Sequence, residues 1–445
     1  MPEIASPSAS TLTPAKTARQ RTDTFTSIWM MIAVAMAIAA LVAKSRMPQP
    51  LWTMIHLVTL GVLSNGIFQW SWFFARSLAR LSADDPRARR HNTIRVLIFN
   101  AFFASLFVSM WLGWMVGTVI AATGIAAVAA WHGAEMLSVL RERLASRFVV
   151  VVRYYVCSAS FFVLAALLAS FVSATMFSTS IPEAMVAMRD RLTLAHALSG
   201  VAGWVGLTIG GTLITLGPTI LRTRMSPDAV SWGVRVLLPW CVSLLLAIAG
   251  ALLGVMPLVG AGILAVGTCA IVGIVYPYAK VLRNKGPREY SAWSFLLGLL
   301  WISVGVCALG VASLFVSTPS QLRALTLMWL PIIGIAGFAQ LFQGALSYLM
   351  PVVIGGGPSV VRIGIAIIDW QFPLRLGLRN SALILELFLF FAGDSPSVHV
   401  LRMAGWFLVI ATFVIDVVIY AKTGVTQARA RRARSETLSE SRQVQ

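Results

Sequence analysis

Charge is what this sequence has least of. Only 11% of its 445 residues are Asp, Glu, Lys or Arg, too few to clothe a globule of that size in water. With 58% hydrophobic residues and a mean hydropathy of +0.82, the chain is built for lipid. Acidic residues are scarcer still, 16 against 35 basic ones. The resulting excess of positive charge is spread over alternate joints between apolar stretches instead of forming one patch, which argues against a nucleic-acid surface. Cysteine is sparse too. Cys157, Cys241, Cys269 and Cys307 fall singly within apolar stretches, with neither the paired spacing of a zinc site nor that of a disulfide framework. The glycine run GGGP from Gly355 lacks the Gly-Lys-Ser/Thr ending of a phosphate loop and closes an apolar helix, so a flexible or re-entrant helix end is expected there.

What remains is a succession of apolar stretches, each close to the roughly 20 residues that cross a bilayer core. The expected fold class is an all-α integral membrane protein of about 12 transmembrane helices, at 27–44, 52–75, 94–112, 115–138, 151–175, 192–217, 234–254, 257–280, 293–316, 325–354, 378–393 and 399–421. Residues 1–26 are expected as a disordered cytoplasmic N-tail, 27–422 as the membrane domain and 423–445 as a basic, polar cytoplasmic C-tail, also disordered. The first stretch follows Lys16, Arg19 and Arg21 as a secretory signal would. It lacks a small-residue cleavage site and the next stretch begins almost at once, so a retained helix is expected. With both termini inside, the outer side carries only Lys44, Arg46, Arg189, Arg191, Arg323 and Arg402 of the 35 basic residues. That bias places the chain in the plasma membrane with cytoplasmic ends. The Arg-rich segments at Arg87, Arg89 and Arg90 and at Arg429, Arg431, Arg432 and Arg434 are then topology determinants and contacts for anionic lipid.

A faint internal repeat runs through the spans. Span six reads LTLAHALSG and then GTLITLGP from Gly211; span ten reads LTLMWLPIIG and then GALSYLMP from Gly344. The same 15 residues separate His196 from Gly211 and Trp329 from Gly344. Span two opens with WTMIH, placing His56 in the equivalent position. Three pseudo-equivalent four-helix units follow, with helices two, six and ten in the middle because small and polar residues shun lipid.

His56 and His196 lie at matched depth, about 6 Å inside their helices at 1.5 Å per residue. Neutral imidazole ligates haem iron, copper or zinc, so the pair is the candidate cofactor and metal site. Plain hydrogen bonding to a neighbouring helix is the structural alternative. Met54, Met328 and Met350 read as packing. Glu386 in ELFLFF and Asp416 in FVIDVVIY are intramembrane carboxylates at similar depth, marking a proton or ion path or else a structural pair with Arg379 or Arg153. His132 and Glu135 sit three residues apart on span four, on one side of that helix and near its end. His91 and His399 carry no assigned role. Catalytic residues are not indicated.

The segments HLVTLGVLSNGIFQWSWFFA from His56, LAHALSGVAGWVGLTIGGTLITLGPTILRTR ending at Arg224 and FAQLFQGALSYLMPVVIGGGPSVVR ending at Arg362 carry a resemblance. Together with three arcs of four helices, they resemble haem–copper oxidase subunit I and, more closely, the NnrS-like membrane proteins and actinobacterial twelve-helix copper-oxidase-like proteins. The resemblance implies haem or copper as cofactor, with His56 in the place of a low-spin haem ligand and His196 in that of a copper ligand. This chain departs from the pattern on helix ten, where 325–354 contains no histidine, and on helix seven, where 234–254 lacks the paired histidines. Phe73 also stands where the likeness leads one to expect a second histidine. The expected function is therefore a non-oxidase member handling nitric oxide, copper or respiratory stress. The alternatives are a twelve-helix solute transporter, against which the absent G-x-x-x-D-R-x-G-R pattern of major facilitator proteins counts, and a membrane assembly protein without small-molecule chemistry.

Overall fold

Lipid leaves backbone N–H and C=O groups no water to bond, so an apolar chain of this kind must satisfy them within helices or a closed barrel. The protein takes the helical solution throughout: among the described residues, every regular element is a helix. The structure, a computed structural model, describes residues 18–43, 49–82, 84–177, 182–389, 391–393 and 395–443. Counting each helix through its internal irregularities, the long elements are α1 (Ala18–Ala43), α2 (Pro50–Leu78), α3 (Arg87–Trp111), α4 (Met115–Glu142), α5 (Arg147–Met176), α6 (Ala187–Ile220), α7 (Ala229–Leu253), α8 (Met256–Leu282), α9 (Tyr290–Ser313), α10 (Pro319–Ile354), α11 (Phe372–Leu389) and α12 (Pro396–Gln443). A short apolar helix, Pro358–Ile368, separates α10 from α11.

Ten of these helices, α2 to α10 and α12, are long and apolar enough to cross a membrane. The other two expected spans fall on α1, whose described apolar run is Phe25–Met36, and on α11, which carries Arg375, Arg379 and Glu386 within its 18 residues. Two boundaries differ from expectation. Residues 1–17 of the expected N-tail lie outside the described residues, while 18–26 open α1. The segment from Thr423, expected as a disordered tail, continues α12 to Gln443. It has a reason to stay helical: Gln427 donates to Pro351 O at 2.7 Å, Arg431 to Ile354 O at 2.8 Å and Arg434 to Gly356 O at 2.8 Å. These side chains cap the carbonyls that the end of α10 leaves open.

The chain forms two compact units, Met1–Thr212 and Leu213–Gln445. The first is centred on aromatic packing: Phe68 lies 5.0 Å from Phe99, 5.0 Å from His132 and 5.4 Å from Trp204 between ring centroids, and Phe162 stacks on Trp204 at 4.6 Å. In the second, Trp301, Trp329, Ile332, Leu383 and Val409 form one buried cluster and Tyr290, Ile368, Leu376 and Ile419 another. Large apolar side chains face outward, among them Phe315 at 82% and Phe407 at 74% exposure, a burden that only lipid relieves.

Shorter π-helical runs open α3 (Arg87–His91) and interrupt α8 (Ile271–Val275), and the longest lie in α2, α6 and α10. Those three span Leu57–Ser64, Leu198–Gly206 and Ile332–Ala339 respectively. Such runs are uncommon at this length and gather at functional positions. Each of the three helices also ends on a positive-φ residue: Arg80 at 52°, Arg222 at 49° and Gly355 at 70°. The first two are closed by Leu81 N–H on Arg76 O and Thr223 N–H on Pro218 O, both at 3.0 Å, the six-residue closure of a helix C-terminus.

Candidate functional site

The structure brings His56 and His196 together. Their ring centroids are 6.1 Å apart and their planes differ by 16°. Both imidazoles are oriented the same way chemically. Nδ1 of His56 lies 2.9 Å from Trp52 O and Nδ1 of His196 lies 2.8 Å from Ala165 O. A carbonyl only accepts, so each Nδ1 carries the proton and each Nε2 keeps its lone pair. That is the tautomer of a metal-binding histidine whose outer nitrogen is fixed by a backbone carbonyl. Trp52 stacks on His56 at 4.4 Å and 21°, holding the ring plane.

Two imidazoles make half of a common metal site. Among the described residues no group of three or more His, Cys, Asp or Glu side chains converges anywhere. Imidazole suits zinc, copper, iron and nickel alike; of these, copper in its lower oxidation state is the ion that two ligands alone satisfy. The donor set does not suit the haem and copper pair of an oxidase, because α10 and α7 contain no histidine at all.

The two carboxylates diverge. Asp416, fully buried on α12, accepts from Arg375 and Arg379 of α11, and from the Tyr290 hydroxyl at 2.6 Å. Arg379 also donates to Gln343 Oε1 at 2.8 Å and to Thr412 at 3.1 Å. Arg375 donates to Trp370 O at 3.0 Å and lies over the Tyr290 ring. Of the partners expected for a buried carboxylate, Arg379 is found and Arg153 is not. Glu386 sits elsewhere on α11, 7% exposed, against Gly405 of α12, and one of its oxygens has no hydrogen-bond partner. His132 and Glu135 also part company. His132 meets Ser71 at 3.3 Å amid Phe68, Trp72 and Trp204, whereas Glu135 accepts from Arg95, His91 and Trp131.

A pattern absent from the expectations links these observations. In the first unit, Asn65 of α2 and Asn100 of α3 exchange amide hydrogen bonds at 3.2 and 2.7 Å, and Trp29 of α1 donates to Asn100 at 2.6 Å. In the second, Gln340 of α10 and Asn380 of α11 exchange them at 3.3 and 2.9 Å, and Trp301 of α9 donates to Asn380 at 2.8 Å. Asn65 and Gln340 each follow a π-run directly and each donate to the carbonyl four residues back, Gly61 O and Ala336 O, both at 2.8 Å. One carbonyl drops out of the ladder where π spacing returns to α spacing, and the side-chain amide replaces its donor. Five residues before each asparagine stands the arginine of the buried ion pair, Arg95 with Glu135 and Arg375 with Asp416. The sequence signal is R-x-x-x-x-N at 95–100 and at 375–380, and midway between them, at 235–240, stands R-x-x-x-x-W. The interval from Arg95 to Arg235 and from Arg235 to Arg375 is the same, 140 residues. It is also the interval from His56 to His196.

No family model matches this sequence, and no curated protein matches it.

Several side chains expected to face anionic lipid have protein partners. Arg87 binds Asp85 at 2.8 Å and Glu142 at 2.6 Å, and Arg89 binds Asp84 at 2.8 Å. Asp85 lies outside the spans, and its bonds from Arg87 hold its carboxyl below the ordinary range. The four cysteines carry free thiols, and the glycine run has positive φ at Gly355, Gly356 and Gly357, ending α10 and turning into the short helix.

Proposed function

We propose that the chain is a plasma-membrane protein of the haem–copper oxidase-like type, built from three four-helix units, with both ends in the cytoplasm, and that it holds copper on His56 and His196 without reducing oxygen. The observation that carries this reading is the pair of near-parallel imidazoles, each with Nδ1 fixed to a carbonyl. The metal, when bound, would supply a soft Lewis-acidic and redox-active centre near one end of α2 and α6. His56 and His196 would hold it through Nε2, Trp52 and Ala165 would hold the histidines, and nitric-oxide or copper handling is the corresponding task. The twelve-span, three-unit arrangement is supported by the position of the three longest π-runs in α2, α6 and α10 and by the 140-residue recurrence. It is further supported by Gly211 and Gly344, which press respectively on Tyr154 of α5 and on the Phe295 backbone of α9. In this reading α1 and α11 also cross the membrane, α11 with its arginines neutralised inside the protein.

The test is copper and iron analysis of the purified protein after anaerobic loading with cuprous ion, with a visible spectrum for haem. About one copper per chain is expected, with loss of at least about tenfold in affinity, or 1.4 kcal/mol, in either His56→Ala or His196→Ala. A protein that takes up no copper, or whose copper is indifferent to both substitutions, overturns the reading. A second reading, solute transport, is favoured by one observation, the charged Arg375–Arg379–Asp416 cluster buried in the membrane domain. It predicts substrate-dependent flux in vesicles that is lost in Asp416→Asn and retained in His56→Ala.

A further inference from the structure

In the second unit, the loop after α6 and the end of α8 border an open cleft of about 880 Å³. Its charged lining is strongly unbalanced: Arg222, Arg224, Lys280 and Lys285 against the single carboxylate of Asp228. Partners within the protein leave much of that charge unspent. Lys280 takes Asp228 at 2.8 Å, and Arg222 takes Glu289 at 2.9 Å. Lys285 donates to a neutral carbonyl, Arg222 O, at 2.8 Å; an ammonium has three donors, so hydrogens remain. Arg224 is exposed and forms no ion pair among the described residues. With two carboxylates set against four cations, the cleft keeps two positive charges.

The backbone here is also costly. Arg222 holds φ at 49°, a conformation that glycine adopts freely and a long side chain does not. Glycine would end α6 more cheaply, as Gly254 ends α7 with φ 76°. Arg80 ends α2 in the same conformation at φ 52°, so the strain belongs to this kind of helix ending and not to the cleft. Beside the cleft lies a smaller cavity of about 120 Å³ that shares Arg222 and Lys285 and has Ile220, Leu221 and Ala292 along its apolar side.

We propose that this cleft binds a net-anionic phosphate group, with Arg224 and Lys285 as the uncommitted cations and Arg222 and Lys280 completing the ring. Phosphate suits the donors better than a carboxylate does. It presents oxygens on every side, as a cleft with cations on two separate segments requires, and guanidinium and ammonium groups both serve it. The group has two conceivable sources of the same chemistry. One is an anionic lipid headgroup, whose chain would run along the apolar side of the smaller cavity; the other is a soluble phosphoester. This inference does not depend on copper binding at the histidines.

The experiment uses the full chain in a maltoside detergent, titrated calorimetrically with dihexanoylphosphatidylglycerol, dihexanoylphosphatidylcholine and inorganic phosphate. Phosphatidylglycerol or phosphate is expected to bind, phosphatidylcholine at least about tenfold more weakly, and added salt to weaken the binding. The double variant Arg224→Ala/Lys285→Ala is expected to lose at least about tenfold in affinity, and Arg224→Lys/Lys285→Arg to recover most of it. An unchanged thermal transition in these exposed-site variants separates lost binding from lost folding. Phosphatidylglycerol well above phosphate assigns the site to lipid; phosphate equal to it assigns the site to a soluble phosphoester. Equal binding of the two lipids, no binding of any probe, or full affinity in the double alanine variant overturns the proposal.

Discussion

Replacing Asp416 by asparagine is the sharpest test of the buried charge cluster. Asp416 and Arg379 are wholly buried and Arg375 is 5% exposed, so none of the three exchanges its partner for water. Asp416→Asn keeps the volume and leaves two guanidinium charges facing a neutral amide. Removing one member of a buried pair typically costs about 3–5 kcal/mol, mostly the desolvation of the charge left behind. Arg375→Met sacrifices bonds to Trp370 O and Ile368 O, at about 1–3 kcal/mol for each orphaned acceptor, but it leaves a neutral Arg379–Asp416 pair and so removes the surplus buried charge, which offsets that cost. The order expected is therefore Asp416→Asn well above Arg375→Met. The triple variant Arg375→Met/Arg379→Met/Asp416→Leu, which removes every charge together, should fall far below the sum of the single changes. Guanidinium unfolding midpoints in micelles, read by tryptophan fluorescence, give the order directly. If Asp416→Asn costs less than Arg375→Met, or if the triple variant is additive, the charges are not coupled as described.

Asn100→Leu strands the Trp29 indole N–H and the Asn65 amide, so it should cost about 1–3 kcal/mol, and Asn65→Leu added to it should cost little more, checked by the same unfolding curves. Gly344→Val should destabilise or block folding, because even a Cβ there comes within 2.7 Å of Phe295 Cα, while Gly66→Ala, with nothing within 4 Å, should be neutral or slightly stabilising; yield and monodispersity after purification would tell them apart. The depressed carboxyl of Asp85 stabilises its loop at pH above the ordinary value of 3.8, and that contribution should disappear as pH falls through the lowered value. Hydrogen-exchange protection of residues 84–92, relative to the intrinsic rate at each pH, should then fall in acid, and Asp85→Asn should abolish that pH response.

The helices were legible because lipid imposes one rule on every residue of a span, and hydropathy reads that rule directly. The meeting of His56 and His196 was legible for a similar reason: equal depth on two like helices leaves little freedom. The R-x-x-x-x-N recurrence is hidden from hydropathy, since a span at 378–393 begins beyond Arg375 and carries Arg379 at its edge. The positive-inside rule treats arginine as a surface marker, and it has no means of seeing Asp416 on another helix cancelling the charge. Pairing with a residue 37 or 41 positions away lies outside any local window. The same blindness applies to α12, where Arg431 and Arg434 in a seemingly disordered tail find carbonyls more than 70 residues upstream.

The π-run in α2 bears on how this protein tolerates insertion and deletion. A π-run carries slack that a plain α-helix lacks, so losing one residue between Leu57 and Ser64 could leave a continuous helix. It would nonetheless turn everything beyond by about 100°, since 3.6 residues make a turn. Asn65 would swing away from Asn100, and Gln69 and Trp72 would exchange the interior for lipid. The run thus acts as a phase setter: hydropathy would survive such a deletion almost unchanged, while the amide–indole contact would not. Length variants in this segment should therefore be rarer than substitutions in it, and the same holds for Ile332–Ala339 ahead of Gln340.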